Sequence, residues 1–175
     1  VDIIVTYSQW PREWQESASW LKYNTEGGMT REVISHFLFF TERILGPLTL
    51  ISAITKYPKS SDLCETAVLA YLESAEGVPV NLLASVGGVQ IDRQEITIKG
   101  SKSSRRISDF HRDAKSDGGD FLPVREWPKD QRAESLKLQL DNLSLHINSK
   151  PNKLASLEEA YRVQVLVEGI LKNDI

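Results

Sequence analysis

The chain has 175 residues, 41% of them hydrophobic and 26% charged, with a formal net charge of -3, the make-up of an ordinary globular domain that can bury a real core. Acids and bases are intermixed, which leaves no electrostatic footprint for nucleic acid and no polybasic patch for an anionic membrane, and no apolar run is long enough to span one. The single cysteine, Cys64, cannot close an internal disulfide, which fits a reducing, cytoplasmic setting.

Asp2 to Tyr7 (DIIVTY) is β-rich and predicts the first strand. The chain starts at Val1 rather than Met, and directly with a strand in place of the basic and apolar regions of a signal peptide, so a piece of a longer protein is expected. Ser8 to Gly28 is a long irregular segment, and its three indoles, Trp10, Trp14 and Trp20, argue for order. These tryptophans either anchor the loop on a sheet or line a ligand cleft. Glu26 to Pro47 predicts the best-marked helix, with Thr30 as its N-cap and Gly46 followed by Pro47 as its stop. At 100° per residue Val33, Ile34, Phe37, Leu38, Phe40, Ile44 and Leu45 share one face, while Arg31, Glu32, Ser35, His36, Glu42 and Arg43 share the other.

Leu48 to Tyr57 predicts a strand, closed by turn material from Pro58 to Asp62. Glu65 to Ser74 and Pro79 to Val86 predict a hairpin around Glu76 and Gly77. Val89 to Lys99 alternates, with Ile96 and Ile98 on a covered side and Glu95, Thr97 and Lys99 on a wet one; Gly100 to Ser104 turns and Arg105 to Ser108 returns. His111 to Gly119 is polar with paired glycines and predicts a surface loop. Asp109, His111 and Asp113 match no zinc or calcium spacing, so no metal site is expected. Arg105, Arg106 and Arg112 read as a solvated edge, of interest as a phosphate site only for a sugar-phosphate substrate. Phe121 to Trp127 is short and extended. Lys129 to Ile147 predicts a helix with Leu136, Leu140 and Leu143 aligned, and a last helix starts at the capping box Ser156 and Glu159. Its buried stripe is expected to hold Tyr161, Val165 and Ile170, with Val163, Leu166 and Val167 nearby.

Chemistry is concentrated at the start of the first helix. Glu32 and His36 stand at i and i+4, so a carboxylate there could fix an imidazole tautomer, and Gly27 and Gly28 just before them would let a ligand approach backbone. A histidine oriented by an acid beside a glycine-lined turn suits general acid/base work. The same pair also reads as an unremarked helix surface. No G-x-G-x-x-G follows a strand anywhere, so no cofactor-binding residue is assigned.

The run Gly27, Gly28, Glu32, His36, closed by an aromatic-rich helix and Gly46, resembles the C-terminal domain of the Gfo/Idh/MocA family of NAD(P)-dependent sugar and polyol oxidoreductases. The closing segment SLEEAYRVQVLVEGIL resembles that family's last element, and together the matching stretches span nearly the whole chain. The resemblance implies an α+β fold, a mostly antiparallel open sheet with helices on one face. It makes residues 1–175 a substrate-binding and oligomerisation domain, with the Rossmann domain that holds NAD or NADP, and the catalytic lysine, outside this chain. His36 takes the position of the family's acid/base histidine and Glu32 that of an acid usually Asp; Phe39 stands where a second acid is often found. Trp20, Leu21 and Lys22 resemble the family's Trp-Arg element, which makes Lys22 and Trp20, with Gly27 and Gly28, candidates for substrate contact. The implied activity is hydride transfer between NAD(P) and a sugar, polyol or related hydroxy compound, inactive in this piece alone. The free sheet face is expected to pair into a homodimer or homotetramer. The rival reading is a non-catalytic dimerisation module of the same fold.

Overall fold

A computed structural model describes residues 1–59, 62–126 and 130–172. Eight strands form one sheet in the order β2-β3-β4-β1-β5-β6-β7-β8. They are β1 (Asp2–Tyr7), β2 (Leu48–Lys56), β3 (Ala67–Ser74), β4 (Pro79–Val86), β5 (Arg93–Lys99), β6 (Ser104–Ser108), β7 (Arg112–Ser116) and β8 (Leu122–Pro123). Only β1 with β4 is parallel; every other neighbouring pair is antiparallel. The α+β architecture expected from the sequence is the one observed. In β1 the alternation buries Ile3, Val5 and Tyr7 on the inner face, as a half-covered strand requires.

Helices α1 (Ser35–Leu45) and α3 (Leu157–Lys172) cover that inner face. Val33, Ile34, Phe37 and Leu38 meet Val163, Leu166, Val167 and Ile170 over Val5, Leu72 and Leu82 in one core. Burying each such side chain contributes about 1.5 to 3 kcal/mol. α1 stops at Gly46, whose φ of +79° suits a residue without Cβ and whose N–H bonds Glu42 O. α3 starts at the expected capping box: Ser156 N–H donates to Glu159 at 2.8 Å and Glu159 N–H to Ser156 Oγ at 3.2 Å. The outer sheet face carries an apolar row in register, Ile54, Leu69, Leu83 and Ile4, from four adjacent strands.

Several expectations are corrected. Thr30 is not an N-cap: it lies inside a π-helical turn, Thr30–Ile34, in which Ser35 N–H bonds back to Thr30 O. Its hydroxyl is engaged by Glu65, 35 residues on. Glu42, placed on the polar side of α1, is buried because Leu48 N–H and Arg162 both donate to its carboxylate. Glu95, expected on a wet face, is buried between Arg93 and Arg106. Ile44, Tyr161 and Val165 are exposed; the α3 stripe is Val163, Leu166, Val167, Ile170 and Leu171, rotated from the expected one by the line of contact with β2 and α1. The loop expected from His111 to Gly119 is mostly β7, paired with β6. α2 (Gln131–Ile147) forms where a helix was expected but buries no residue, so it does not cover the sheet. Ser60 and Ser61 of the expected Pro58 to Asp62 turn, Trp127 of the extended segment and Lys129 of the helix start lie outside the described residues.

Candidate active-site cleft

The glycine pair sets how the first helix meets its neighbours. A Cβ on Gly27 would stand 2.5 Å from the carbonyl oxygens of Trp20 and Leu21, and one on Gly28, whose φ is +102°, would stand 2.3 Å from a Glu65 carboxylate oxygen. Both glycines therefore admit protein, which closes over the helix start from two sides. Glu65 is 1% exposed and accepts from Thr30 N–H at 2.7 Å and Thr30 Oγ1 at 2.6 Å, while its other oxygen has no partner among the described residues. Burial raises its carboxyl pKa, opposed by the Thr30 hydrogen bonds. Arg31 completes the clamp with a bidentate pair to Glu168 of α3 and bonds to Asn24 O and Gly27 O. These contacts fix the phase of the helix, and Glu32 and His36 face outward from it into one cleft of about 570 Å³.

His36 is exposed on the cleft wall with its ring edge-on to Phe110 at 5.7 Å, and Phe110 stacks on Phe37 at 5.0 Å. Phe110 reaches this position from the β6–β7 turn, where Asp109 and Phe110 take φ of +52° and +64° and His111 N–H bonds Ser108 O. Left-handed backbone costs a non-glycine residue roughly 1 to 2 kcal/mol, and the ring stacking helps offset that. Glu32 bonds Gln15 rather than His36: Gln15 Nε2 donates to Glu32 Oε1 at 3.2 Å, and Arg12 Nε donates to Gln15 Oε1 at 2.9 Å. The π-helical turn widens the helix at Glu32, which loosens the i, i+4 stacking of a regular helix. The Arg12 guanidinium lies over the rings of Tyr7, Trp10 and Trp14, at 5.1, 5.6 and 4.7 Å. Tyr7 donates to Gln94 at 2.7 Å, and its phenol is pushed up to about 12, chiefly by burial. The His111 pKa is lowered, chiefly by burial, and its Nε2 is buried without a partner among the described residues.

Of the residues singled out in the sequence, Glu32 and His36 share this cleft; Lys22 and Trp20 do not line it. Lys22 is exposed above the Tyr23 ring at 5.0 Å and borders a separate shallow pocket with Pro11 and Ser19. Trp20 is half exposed, and its carbonyl abuts Gly27. The Arg105, Arg106 and Arg112 group is engaged by Asp113, Glu95 and Asp109. Among the described residues no group of three His, Cys, Asp or Glu side chains could hold a metal ion. Sequence reasoning missed Arg12, Gln15, Phe110 and Arg132, which meet only through the fold. Among the described residues the glycine-opened start of the first helix, where a pyrophosphate would otherwise sit, is filled by the Glu65 side chain.

The chain has the fold of the C-terminal domain of Gfo/Idh/MocA-type oxidoreductases. An oxidoreductase from Thermotoga maritima superposes with a TM-score of 0.70 at 17% identity, over 99% of this chain and 51% of its own. KijD10, a 3-ketoreductase from Actinomadura kijaniata seen with NADP and TDP-benzene, gives 0.68 at 14% identity, over 98% and 53%. The WlbA dehydrogenase from Bordetella pertussis, seen with NADH and UDP-GlcNAcA, gives 0.68 at 18%, over 98% and 52%. The chain thus spans about half the length of these solved structures. No protein-family model matches it, and no curated protein matches it by sequence. No described helix is long and apolar enough to cross a membrane.

Proposed function

We propose that this chain is the substrate-binding half of an oxidoreductase that transfers a hydride between NAD(P) and a sugar, polyol or related hydroxy compound, with the dinucleotide held outside residues 1–175. The observation that carries the reading is the convergence of Glu32 and His36 on one cleft, on a fold shared with oxidoreductases of which two hold NADP or NADH. His36 takes the proton from the substrate hydroxyl during oxidation and returns it during reduction, work worth about 10²- to 10⁴-fold in rate. Glu32, held through Gln15 to Arg12, sets the charge beside the imidazole without neutralising Arg12. Phe110, backed by Phe37, packs against the imidazole and limits its turning. Gly27 and Gly28 act from behind this wall, by letting the Trp20 carbonyl and Glu65 close on the helix start.

The apolar outer row Ile54, Leu69, Leu83 and Ile4 supports a homodimer or homotetramer, since a patch of this kind on a sheet is usually buried. The test is to assay the complete protein for NAD- and NADP-dependent oxidation and reduction across sugars, polyols and their keto forms, and to titrate both dinucleotides into residues 1–175 by calorimetry. Turnover by the complete protein with no heat from the fragment is the expected result, and light scattering should find an oligomer. Micromolar dinucleotide binding by the fragment, or no turnover with any hydroxy compound, overturns the reading. In the second case the fold serves as a non-catalytic dimerisation module.

A further inference from the structure

Ten arginines are spread along the chain. Eight of them stand within 4.0 Å of a carboxylate. Among the described residues the two without such a partner are Arg12 and Arg132, one from the loop after β1 and the other from the first turn of α2. Both stand against a single side chain, with guanidinium carbons 4.7 and 5.5 Å from the Trp14 ring centroid. Both line the cleft that holds His36.

Each feature of this corner follows from the chemistry of guanidinium. An arginine laid on aromatic rings keeps its charge and loses little on desolvation, and its planar fork remains able to donate in pairs. Arg12 is held in place by its Nε bond to Gln15, which is 4% exposed, and by the Tyr7 and Trp10 rings. Of the acids that line this cleft, Asp109 is bound by Arg112, and Glu32 is joined to Arg12 through the neutral amide of Gln15; Glu13, Glu16 and Asp92 border Arg12 in the neighbouring pocket without an ion pair to it. Two guanidinium groups lining one cleft repel each other, and an oxyanion bound by both turns that repulsion into charge-assisted hydrogen bonding. The hydroxyl-bearing Ser135, one turn further along α2, lines the same wall.

We infer that Arg12 and Arg132, seated on Trp14, form an oxyanion subsite, so that the substrate carries a phosphate, diphosphate or carboxylate group in addition to the hydroxyl presented to His36. This rests on the reading of the cleft as a substrate site, and it adds that neutral sugars and polyols are poor substrates. Arg12 and Arg132 bind; they take no part in proton transfer.

Binding separates this claim from catalysis. The complete protein, with excess NAD or NADP present so that a dinucleotide site elsewhere cannot take the probe, is titrated calorimetrically with inorganic pyrophosphate, gluconate and glucose. One of the two anions should bind at least tenfold more tightly than glucose, pyrophosphate identifying a phosphate-linked substrate and gluconate a sugar acid. Arg132→Gln, at an exposed helix position where folding is not at stake, should weaken that anion at least threefold, and Arg12→Gln with Arg132→Gln should remove the margin over glucose. High salt should act in the same direction. Anion binding is read without turnover, so a failure of the catalytic reading shows in turnover alone. Anions no tighter than glucose, or anion binding untouched by Arg132→Gln and by the double variant, overturns the inference.

Discussion

α2 and α3 are nearly equal in length, 17 and 16 residues, and each begins at a side-chain cap: Asp130 accepts from Ala133 N–H at 3.0 Å, and Ser156 and Glu159 exchange bonds. α3 buries Val163, Leu166, Val167, Ile170 and Leu171, whereas α2 buries nothing and leaves Leu136, Leu140, Leu143 and Ile147 exposed. Both sequences carry an apolar stripe at helical spacing. Periodicity establishes that a helix has an apolar side; the rest of the fold decides whether anything covers it. The contrast extends beyond these helices. Where α1 and α3 lie on the sheet, Arg31, Arg43 and Arg162 are all paired with carboxylates. At the cleft Arg12 and Arg132 have no such partner among the described residues, and His36 and Trp14 are exposed. One region satisfies its own chemistry, and the other leaves two guanidinium groups and an imidazole facing an open cleft.

The largest effect that can break this contrast is in the packed region. Ile170 is fully buried, and Ile170→Ala should cost about 2 to 5 kcal/mol, read as a lower denaturant midpoint. A cost below that range would mean that α3 is loosely seated. The middle case is Glu65. Its carboxyl pKa is raised in the folded chain, so its contribution to stability is fully present below the ordinary value of 4.5 and is lost as pH rises through the folded value. Midpoints measured across pH should therefore shift against the wild type, relative to Glu65→Gln, as pH rises past 4.5. Parallel curves would mean that the carboxylate is not desolvated. The smallest effect belongs to α2: Leu140 is 55% exposed, and Leu140→Ala in residues 1–175 should change stability by no more than about 0.5 kcal/mol. A cost like that of Ile170→Ala would show the stripe to be covered.

What was legible in the sequence is what short-range chemistry determines. β1, the β3–β4 hairpin, the Gly46 stop and the α3 capping box are set by residues within a few positions of one another. Thr30 was misread because its partner, Glu65, lies 35 residues on. Glu42 and Glu95 were assigned to wet faces because their arginine partners, Arg162 and Arg106, belong to other elements. β7 is not legible as a strand because its turn is built on Asp109 and Phe110, without the Asn-Gly or Asp-Gly that marks such hairpins. Of the cleft, the sequence showed Glu32 and His36, four residues apart. Arg12, Gln15, Phe110 and Arg132 carry no mutual spacing signal, and only a buried glutamine and a left-handed phenylalanine reveal them in three dimensions.

The central claim is that His36 works on substrate. The direct measurement is kcat and thermal stability of His36→Ala in the complete protein, with the substrate that the activity panel identifies. The account predicts a fall in kcat of about 10²- to 10⁴-fold, with stability changed by no more than about 0.5 kcal/mol, since the imidazole is exposed. Near-normal kcat together with a melting temperature lowered by many degrees would contradict it, and would make His36 a packing residue for Phe110.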